Sequence, residues 1–317
     1  MYRNLQPLSL NNYPIPKILE SFPHHPSSSR AFQKPQLIKI KLSLPLLTRR
    51  PSSHKNLSIS VIRLTKKKQQ NYKRPTDSSP LNCLQNTQNL SIFLKLFVQK
   101  PKEISKLAEI VKSLPMQIDY LSKVLYLPKS KENEGKKTLF LDLDETLTHA
   151  VKNPNQSQVR IKVNDDVVIN VNIRPYAQEF IKNASQDYEI VIFTASYRKY
   201  ANAILDYLDP LNKYITYRLY REHCYDYNGC FIKDLRILGN RDLKDMILVD
   251  NSLVSFALQI ENGIPIFPWT MDYNDSKLCV LLDYLCILKS ARDVRCVNRN
   301  VFGLSKLVID SLSGNLN

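Results

Sequence analysis

Three carboxylates stand within four positions in the stretch TLFLDLDETLTHA, residues 138–150: Asp142, Asp144 and Glu145. They follow an unbroken apolar run at residues 139–141. Clustered negative charge at the end of a buried strand is costly unless a cation or ligand balances it. A metal-bound carboxylate can attack phosphorus, and a second carboxyl two positions on can act as the general acid and base. The motif therefore indicates phosphoryl chemistry.

Two later apolar runs also end in polar side chains. Residues 188–193 lead to Thr194, and residues 246–249 lead to Asp250 and Asn251. In open α/β sheets the ligand lies outside the carboxyl ends of the strands, so we expect these groups to meet at one edge. Carboxylate, amide and hydroxyl oxygens suit a hard cation such as Mg²⁺ rather than zinc.

The elements that must position these groups read as an α/β fold. Apolar strands alternate with helical patterns, which predicts a mostly parallel sheet with right-handed crossovers. Strands are predicted at 138–142, 188–196 and 246–252, with further strands in YITYRLY and GIPIF. Helices are predicted in RPYAQEFIKNAS, with Pro175 in the first turn, at 197–208 and in DSKLCVLLDYLCILK.

Two hairpins are predicted between these elements. Alternating β-branched residues at 159–173 surround a polar turn at 164–166, and Asn228-Gly229 is a strong turn signal. The first occupies most of the 27 residues between Thr146 and Arg174, and the second lies among the 38 between Thr194 and Lys233. Neither gap has room for a large cap domain. An open site favours a phosphoprotein substrate over a small metabolite.

The segment LFLDLDETL resembles the D-x-D-x-[TV] signature of the haloacid-dehalogenase (HAD) superfamily. Further segments at about 137–300 resemble the small phosphatases that act on the RNA polymerase II C-terminal domain, and their nuclear-envelope relatives. These segments include RPYAQEF, VIFTASYRKYANAILDYLD, YREHC and VDNS. The resemblance implies a HAD-like Rossmannoid parallel sheet with a small β-hairpin insertion and no large cap domain. It also implies a Mg²⁺-dependent protein serine/threonine phosphatase.

The resemblance implies roles for the acidic residues and Asn251. Asp142 would be the nucleophile and a Mg²⁺ ligand. Asp144 would be the general acid and base, and its backbone carbonyl would also meet the metal. Asn251 would ligate Mg²⁺, and Asp250 would orient the metal's waters or Lys233.

The resemblance also implies phosphate and substrate contacts. Thr146 would orient the motif, and Thr194 would donate to a phosphate oxygen. Lys233 would neutralise the charge of the phosphate and the nucleophile. Arg221 lies where the family places an arginine that faces the substrate, although an ion pair with a carboxylate is an equal alternative.

Charge divides the chain near residue 134. The formal net charge is +16, and all of the excess lies in residues 1–134, which contain 23 Lys and Arg against 7 Asp and Glu. We expect a basic disordered tail at 1–80, short helices and a linker at 81–134, a phosphatase domain at 135–300 and a C-terminal tail at 301–317. No segment reaches the roughly 20 apolar residues of a membrane span. A secretory signal is not expected, and the many prolines argue against a mitochondrial presequence.

The basic tail is expected to bind an acidic partner or nucleic acid, and its KKK-containing segment resembles a nuclear-import patch. An anionic membrane surface and a solvated tail without a dedicated partner are the alternatives. We expect a monomer in the nucleus or cytoplasm, with the nucleus favoured.

Two other functions compete with the phosphatase interpretation. One is a non-catalytic phosphopeptide-binding or scaffold relative of the same fold, as in mitochondrial import components. The other is a HAD enzyme for small phosphoesters. A pure scaffold has no physical need for an acid and base at Asp144, which favours the enzyme.

Overall fold

The computed structural model describes residues 62–63, 100–115, 118, 121–163 and 167–315. The chain divides into two compact units, Met1–Ser58 and Ile59–Asn317, and every described residue belongs to the second. The tail predicted for 1–80 lies outside the described residues, apart from 62–63. The apolar stretch LSIFLKLFV, residues 90–98, also lies outside them.

Eleven strands and six α-helices are described. The strands are β1 Ile62–Arg63, β2 Lys137–Leu141, β3 Thr148–Ala150, β4 Val159–Lys162, β5 Val168–Ile173, β6 Tyr188–Phe193, β7 Ile215–Leu219, β8 Tyr225–Tyr227, β9 Cys230–Ile232, β10 Met246–Asp250 and β11 Gly263–Pro265. The helices are α1 Pro101–Ser113, α2 Ala177–Asp187, α3 Arg198–Leu208, α4 Lys277–Leu288, α5 Val294–Phe302 and α6 Leu304–Leu312.

The central sheet has five parallel strands in the order β11-β10-β2-β6-β7. β6 and β10 are buried along their whole length, as their continuous apolar runs predict. Leu141 pairs with Val249 on one side and with Ile192 on the other. The three strands therefore end at one level, and the polar residues that follow them meet at one edge. The predicted α/β fold is confirmed.

A smaller antiparallel sheet has the order β1-β4-β5-β3. Its β4–β5 pair is the hairpin predicted at 159–173, whose turn at 164–166 lies outside the described residues. The second hairpin pairs β8 with β9. Asn228 and Gly229 both have positive φ, 52° and 79°, as its two-residue turn requires. In the described part of the chain, these small hairpins occupy the two gaps that were judged too short for a cap.

Helix α2 corrects one prediction. Pro175 was expected in its first turn, but α2 begins at Ala177 and Pro175 precedes it. Tyr176 adopts a left-handed conformation with φ of 67°, which separates Pro175 from the helical backbone. Two strands are also shorter than predicted. The strand predicted at 188–196 ends at Phe193, and the strand predicted at 246–252 ends at Asp250.

Helices α1 and α6, which precede and follow the rest of the domain in the chain, pack against each other. Helix α1 starts at Pro101 and ends before Pro115, as the prolines predict, and it buries Ile104, Leu107, Ala108 and Ile110. It packs on α6, whose Leu304 and Val308 are buried, and the hydroxyls of Ser105 and Ser311 lie 3.4 Å apart. Residues 301–317 were expected as a tail, yet 304–312 form this packed helix. Within the described ranges, no helix combines the length and apolar character needed to cross a membrane.

Candidate active site

A lysine joins two carboxylates at the carboxyl edge of the parallel sheet. The backbone N–H of Asp142 donates to the Val249 carbonyl at 3.0 Å, which places Asp142 beside Asp250. Lys233 Nζ lies 2.6 Å from Asp142 Oδ1 and 2.5 Å from Asp250 Oδ2. The exposed fractions of the three residues are 6%, 2% and 2% for Asp142, Asp250 and Lys233. The strand ends thus form a nearly dry, charged cluster.

Two carboxylates in this cluster share one cation. Burial raises the pKa of Asp142 and outweighs the opposing attraction of Lys233, while Asp250 and Asp144 raise it further. Burial lowers the pKa of Lys233, but the attraction of Asp142 and Asp250 outweighs that effect and raises it above the ordinary lysine value. Lys233 therefore stays charged. A further positive charge at this edge would favour ionised Asp142.

Asp144 is held separately, by two hydroxyl groups. Tyr200 Oη donates to Asp144 Oδ1 and Ser196 Oγ donates to Asp144 Oδ2, both at 2.6 Å. Burial, together with the nearby Asp144 carboxylate, raises the pKa of Tyr200 well above its ordinary value, so its phenol remains a donor. The sequence analysis missed both partners. Ser196 could have been found because it follows Thr194 by two residues at the same strand end.

The loop after β2 connects the motif to Asn251. Thr146 Oγ1 donates to Asn251 Oδ1 at 3.4 Å, and Asn251 Nδ2 donates to Glu145 Oε2 at 3.3 Å. Glu145 has φ of 59°, and its backbone carbonyl accepts from the Trp269 N–H at 2.7 Å. These bonds fix the turn that carries Asp144 and orient the amide of Asn251.

Arg174 anchors the loop that follows β2. Its guanidinium donates to both oxygens of Asp275, at 2.9 and 3.1 Å, and to the Thr146 carbonyl at 3.0 Å. Burial raises the pKa of Asp275, but the Arg174 hydrogen bonds and charge outweigh it and lower the pKa. Arg174 and Asp275 are almost fully buried, so this pair holds the loop and does not reach substrate.

Thr194 lies at the end of β6 with an exposed fraction of 1%. Its Oγ1 accepts from the Ser196 backbone N–H at 3.0 Å, which leaves the hydroxyl proton of Thr194 for another acceptor. This bond links Thr194 to the serine that holds Asp144.

Arg221 lies beside the same strand end. Its Nε donates to the Ala195 carbonyl at 2.5 Å. Its guanidinium carbon is 4.1 Å from the centroid of Tyr197 and 4.7 Å from that of Phe231, so the planar group lies between two rings. Within the described ranges, Arg221 makes no ion pair, and it makes no hydrogen bond to another predicted site residue.

The residues present fit a magnesium ion by their chemistry. Among the described residues, no group of three or more His, Cys, Asp or Glu side chains could hold a metal ion. A mixed oxygen set is nevertheless available from the Asp142 carboxylate, the Asn251 amide and the backbone carbonyl of Asp144. The buried excess of carboxylate over lysine at this edge would favour a bound cation.

Comparison with known proteins places the chain in a family. Residues 137–295 match the model of the NLI interacting factor-like phosphatases. CTD small phosphatase-like protein 2 of Dictyostelium discoideum is 42% identical over 186 residues, which cover 57% of this chain and 32% of the relative. Human carboxy-terminal domain RNA polymerase II polypeptide A small phosphatase 2 is 32% identical over 213 residues, 63% of this chain and 75% of the relative.

A solved structure also aligns with the chain. A variant of fission yeast RNA polymerase II CTD phosphatase Fcp1 bound to beryllium fluoride aligns over 57% of this chain and 67% of its own, with a TM-score of 0.36 and 17% identity. The fold class is established by the topology of the sheet itself.

The chain belongs to the NLI interacting factor-like phosphatase family, and residues 137–295 are its phosphatase domain. The resemblance seen in the motifs is confirmed. The chain spans about a third of the length of its Dictyostelium relative, so the activity and substrates of the whole protein are matters for the proposal below.

Proposed function

We propose that this chain is a Mg²⁺-dependent protein serine/threonine phosphatase that works through an aspartyl-phosphate. One observation carries the proposal. A buried lysine bridges Asp142 and Asp250 at the strand ends, while Asp144 is held separately by Tyr200 and Ser196. This separation supports Asp142 as the nucleophile and Asp144 as the acid and base, within a phosphatase domain.

Asp142 would attack the phosphorus. Lys233 binds its Oδ1, which leaves Oδ2 to form the new bond. Asp142, Asn251 and the Asp144 carbonyl would hold Mg²⁺, which supplies positive charge that stabilises the phosphoryl group and the ionised nucleophile. Asp250 keeps Lys233 in place and charged.

Fixed donors would stabilise the transferring group. The Lys233 ammonium offsets negative charge on the phosphoryl oxygens, which is the largest contribution expected of such a site. The hydroxyl proton of Thr194 is free to bind a phosphoryl oxygen because its Oγ already accepts from Ser196. Thr146 keeps Asn251 oriented.

Asp144 would move the proton in both steps. When the bond from phosphorus to the seryl oxygen breaks, Asp144 donates its proton to that oxygen. Water then attacks the phosphorus of the aspartyl-phosphate, and Asp144 accepts the water's proton. The bond between phosphorus and Asp142 breaks, which releases inorganic phosphate and regenerates the Asp142 carboxylate. The hydroxyls of Tyr200 and Ser196 hold the Asp144 carboxyl in one orientation through both transfers.

The proposed substrate is an extended phosphorylated tail such as the RNA polymerase II C-terminal domain. The hairpins beside the site are small, which suits a peptide, and the human relative's name refers to that domain. Arg221, which lies between two rings near Thr194, is proposed to contact the substrate. Binding of the basic tail to an acidic partner or nucleic acid, a nuclear or cytoplasmic location and a monomeric state remain parts of this proposal.

The test uses the full chain and a phosphoserine peptide. We expect phosphate release that EDTA stops and Mg²⁺ restores. Asp142→Asn should lower kcat by about four orders of magnitude or more, as expected for loss of a nucleophile. Asp310→Asn, which alters an aspartate on α6 outside the site, is the matched control and should behave as wild type. A kcat for Asp142→Asn within tenfold of the wild-type value would contradict the assignment of Asp142 as the nucleophile.

The same assay separates the competing functions. A scaffold would bind the phosphopeptide without releasing phosphate at any Mg²⁺ concentration. An enzyme for small phosphoesters would hydrolyse sugar phosphates with a higher kcat/KM than the peptide. The proposed protein phosphatase should show the reverse preference, because the site is open to a macromolecule.

A further inference from the structure

Residues 122–129, named here the strap, cross from the end of α1 toward β2 and contact both flanks of the segment that carries Lys233. We propose that the strap is a positioning element that holds Lys233 against Asp142. Residues that precede the predicted domain boundary at 135 would then take part in catalysis. The proposal rests on the phosphatase function and adds to it a part of the chain that touches no reacting atom.

The strap binds the chain that follows Lys233. The Leu125 N–H donates to the Ile237 carbonyl at 2.6 Å, and the Gly239 N–H donates to the Leu125 carbonyl at 3.0 Å. This exchange forms a parallel bridge between Leu125 and Leu238. Asn240 Nδ2 adds a bond of 2.7 Å to the Leu127 carbonyl. The backbone four to six residues after Lys233 is therefore paired with the strap through one parallel bridge, and the Asn240 side chain adds a further bond.

The chain that precedes Lys233 is held from the same side. Lys123 Nζ donates to the Cys224 carbonyl at 2.6 Å. Tyr227 in β8 donates its hydroxyl proton to the carbonyl of Ser113, the last residue of α1, at 2.8 Å. Cys224 is buried, and the hairpin that follows it leads directly into Lys233. The chain before Lys233 is thus held by Lys123 of the strap and by the end of α1, and the chain after it is held by the strap.

Lys233 needs this support because its position is demanding. Its ammonium must reach two carboxylates at 2.6 and 2.5 Å with an exposed fraction of 2%. Its own backbone has one bond across the domain, from its N–H to the Ser255 carbonyl at 3.2 Å. A small shift of the flanking loop would move the ammonium away from the nucleophile, and misplacement by about 1 Å can cost 100-fold in rate.

Gly239 offers a selective way to displace the strap. A Cβ at this position would lie 2.6 Å from Val124 Cγ1, closer than real Cβ atoms approach. The φ of Gly239 is not positive, so Gly239→Ala would act by this contact and not by backbone strain. The clash pushes on the strap beside Leu125. Val124→Ala would relieve its most severe part by removing the clashing methyl, which leaves contacts of 3.1 and 3.2 Å with the ring of Tyr126.

The experiment measures the full chain with Mg²⁺, as kcat/KM on a phosphoserine peptide and as affinity for inorganic phosphate. Gly239→Ala should lower both by about tenfold or more. The double variant Val124→Ala/Gly239→Ala should recover most of the loss. The control is Gly303→Ala, which strains a φ of 59° without any close contact. It should lower the melting temperature and leave both readouts unchanged.

A double-mutant cycle distinguishes positioning from general destabilisation. If the strap acts through Lys233, Gly239→Ala should have little further effect on phosphate affinity in a Lys233→Ala background. Additive losses, or failure of Val124→Ala to restore Gly239→Ala, would overturn the proposal. Normal activity of Gly239→Ala would overturn the strap alone, whereas a wild-type chain inactive on every phosphoester would overturn the proposed function. In that case the strap is tested by whether Gly239→Ala lowers the affinity for inorganic phosphate.

Discussion

The two ends of the parallel sheet each bury carboxylates beside a cation, but they balance charge differently. At the amino end, Glu189 accepts from two Arg241 nitrogens at 2.8 and 2.7 Å and from the Thr138 hydroxyl at 2.8 Å. At the carboxyl end, Lys233 is shared by Asp142 and Asp250. In the first arrangement one carboxylate is bonded to one arginine and is also attracted by Lys129. In the second, two carboxylates share one lysine.

The pKa values reflect this difference. Burial raises the pKa of Glu189, but hydrogen bonds from Arg241 and Thr138 outweigh it, so the pKa lies below its ordinary value. For Asp142 the effect of burial is the largest, and the pKa lies above the ordinary aspartate value. A balanced buried pair is sufficient as structure, whereas an unbalanced one indicates that a ligand supplies the missing charge. The same sheet thus shows how to distinguish a structural ion pair from a reactive site.

The largest expected effect is a loss of activity on substitution of Lys233, at the carboxyl end of the sheet. Lys233→Ala removes the buried cation that Asp142 and Asp250 share, so kcat on a phosphoserine peptide should fall about 100- to 1,000-fold. Steady-state kinetics at saturating Mg²⁺ measures it. Lys213→Ala, at a surface lysine near α3, is the control. If Lys233→Ala kept the wild-type rate, the contrast between the two ends would lose its functional meaning.

At the balanced end we expect a stability effect without a kinetic one. Glu189→Gln leaves Arg241 buried without its anion, which should lower the free energy of unfolding by about 3 kcal/mol. Urea denaturation at neutral pH measures this loss, and kcat/KM of the folded variant should match wild type. Glu222→Gln breaks an exposed pair with Arg198 and should cost about 0.5 kcal/mol or less. A kinetic defect in Glu189→Gln with intact folding would contradict the comparison.

The smallest effect is a pH dependence with a definite sign. The pKa of Glu189 lies below the ordinary glutamate value of 4.5, so its ionised form stabilises the fold above that pH. The contribution is lost as pH falls through the lowered pKa. The stability difference between wild type and Glu189→Gln should therefore shrink in acid, as denaturation at stepped pH values would show. A difference that stays constant to low pH would mean that the Glu189 charge contributes nothing.

The sequence predicted the parts of the site that local pattern specifies. Apolar runs that end in Asp142, Thr194 and Asp250 were enough to predict parallel strands whose polar ends meet. Strands that alternate with helices run parallel, and their carboxyl ends lie at one edge of the sheet. The turn at Asn228 and Gly229 was equally local, since both residues tolerate positive φ. The catalytic and metal-binding roles of these residues stay predictions until they are tested.

Pairings between distant residues could not be predicted. Arg174 and Asp275 are 101 positions apart, and nothing near either residue specifies the other. Glu189 reads as one polar residue in an apolar strand, and only the fold brings Arg241 to it. The strap was read as part of a linker because its pairing with residues 237–239 depends on backbone hydrogen bonds, which residues of almost any type can make, so no sequence pattern marks it.

The pairing of α1 with α6 also has a consequence for synthesis. Ser105 and Ser311 are 206 residues apart, and α1 also contacts Leu253–Phe256, so the apolar face of α1 is not fully covered until almost the whole described domain has been translated. At ordinary elongation rates this delay is on the order of 10 to 40 s. During that time Ile104, Leu107 and Ile110 are available to chaperones on the ribosome, and the emergence of the last helix ends that exposure.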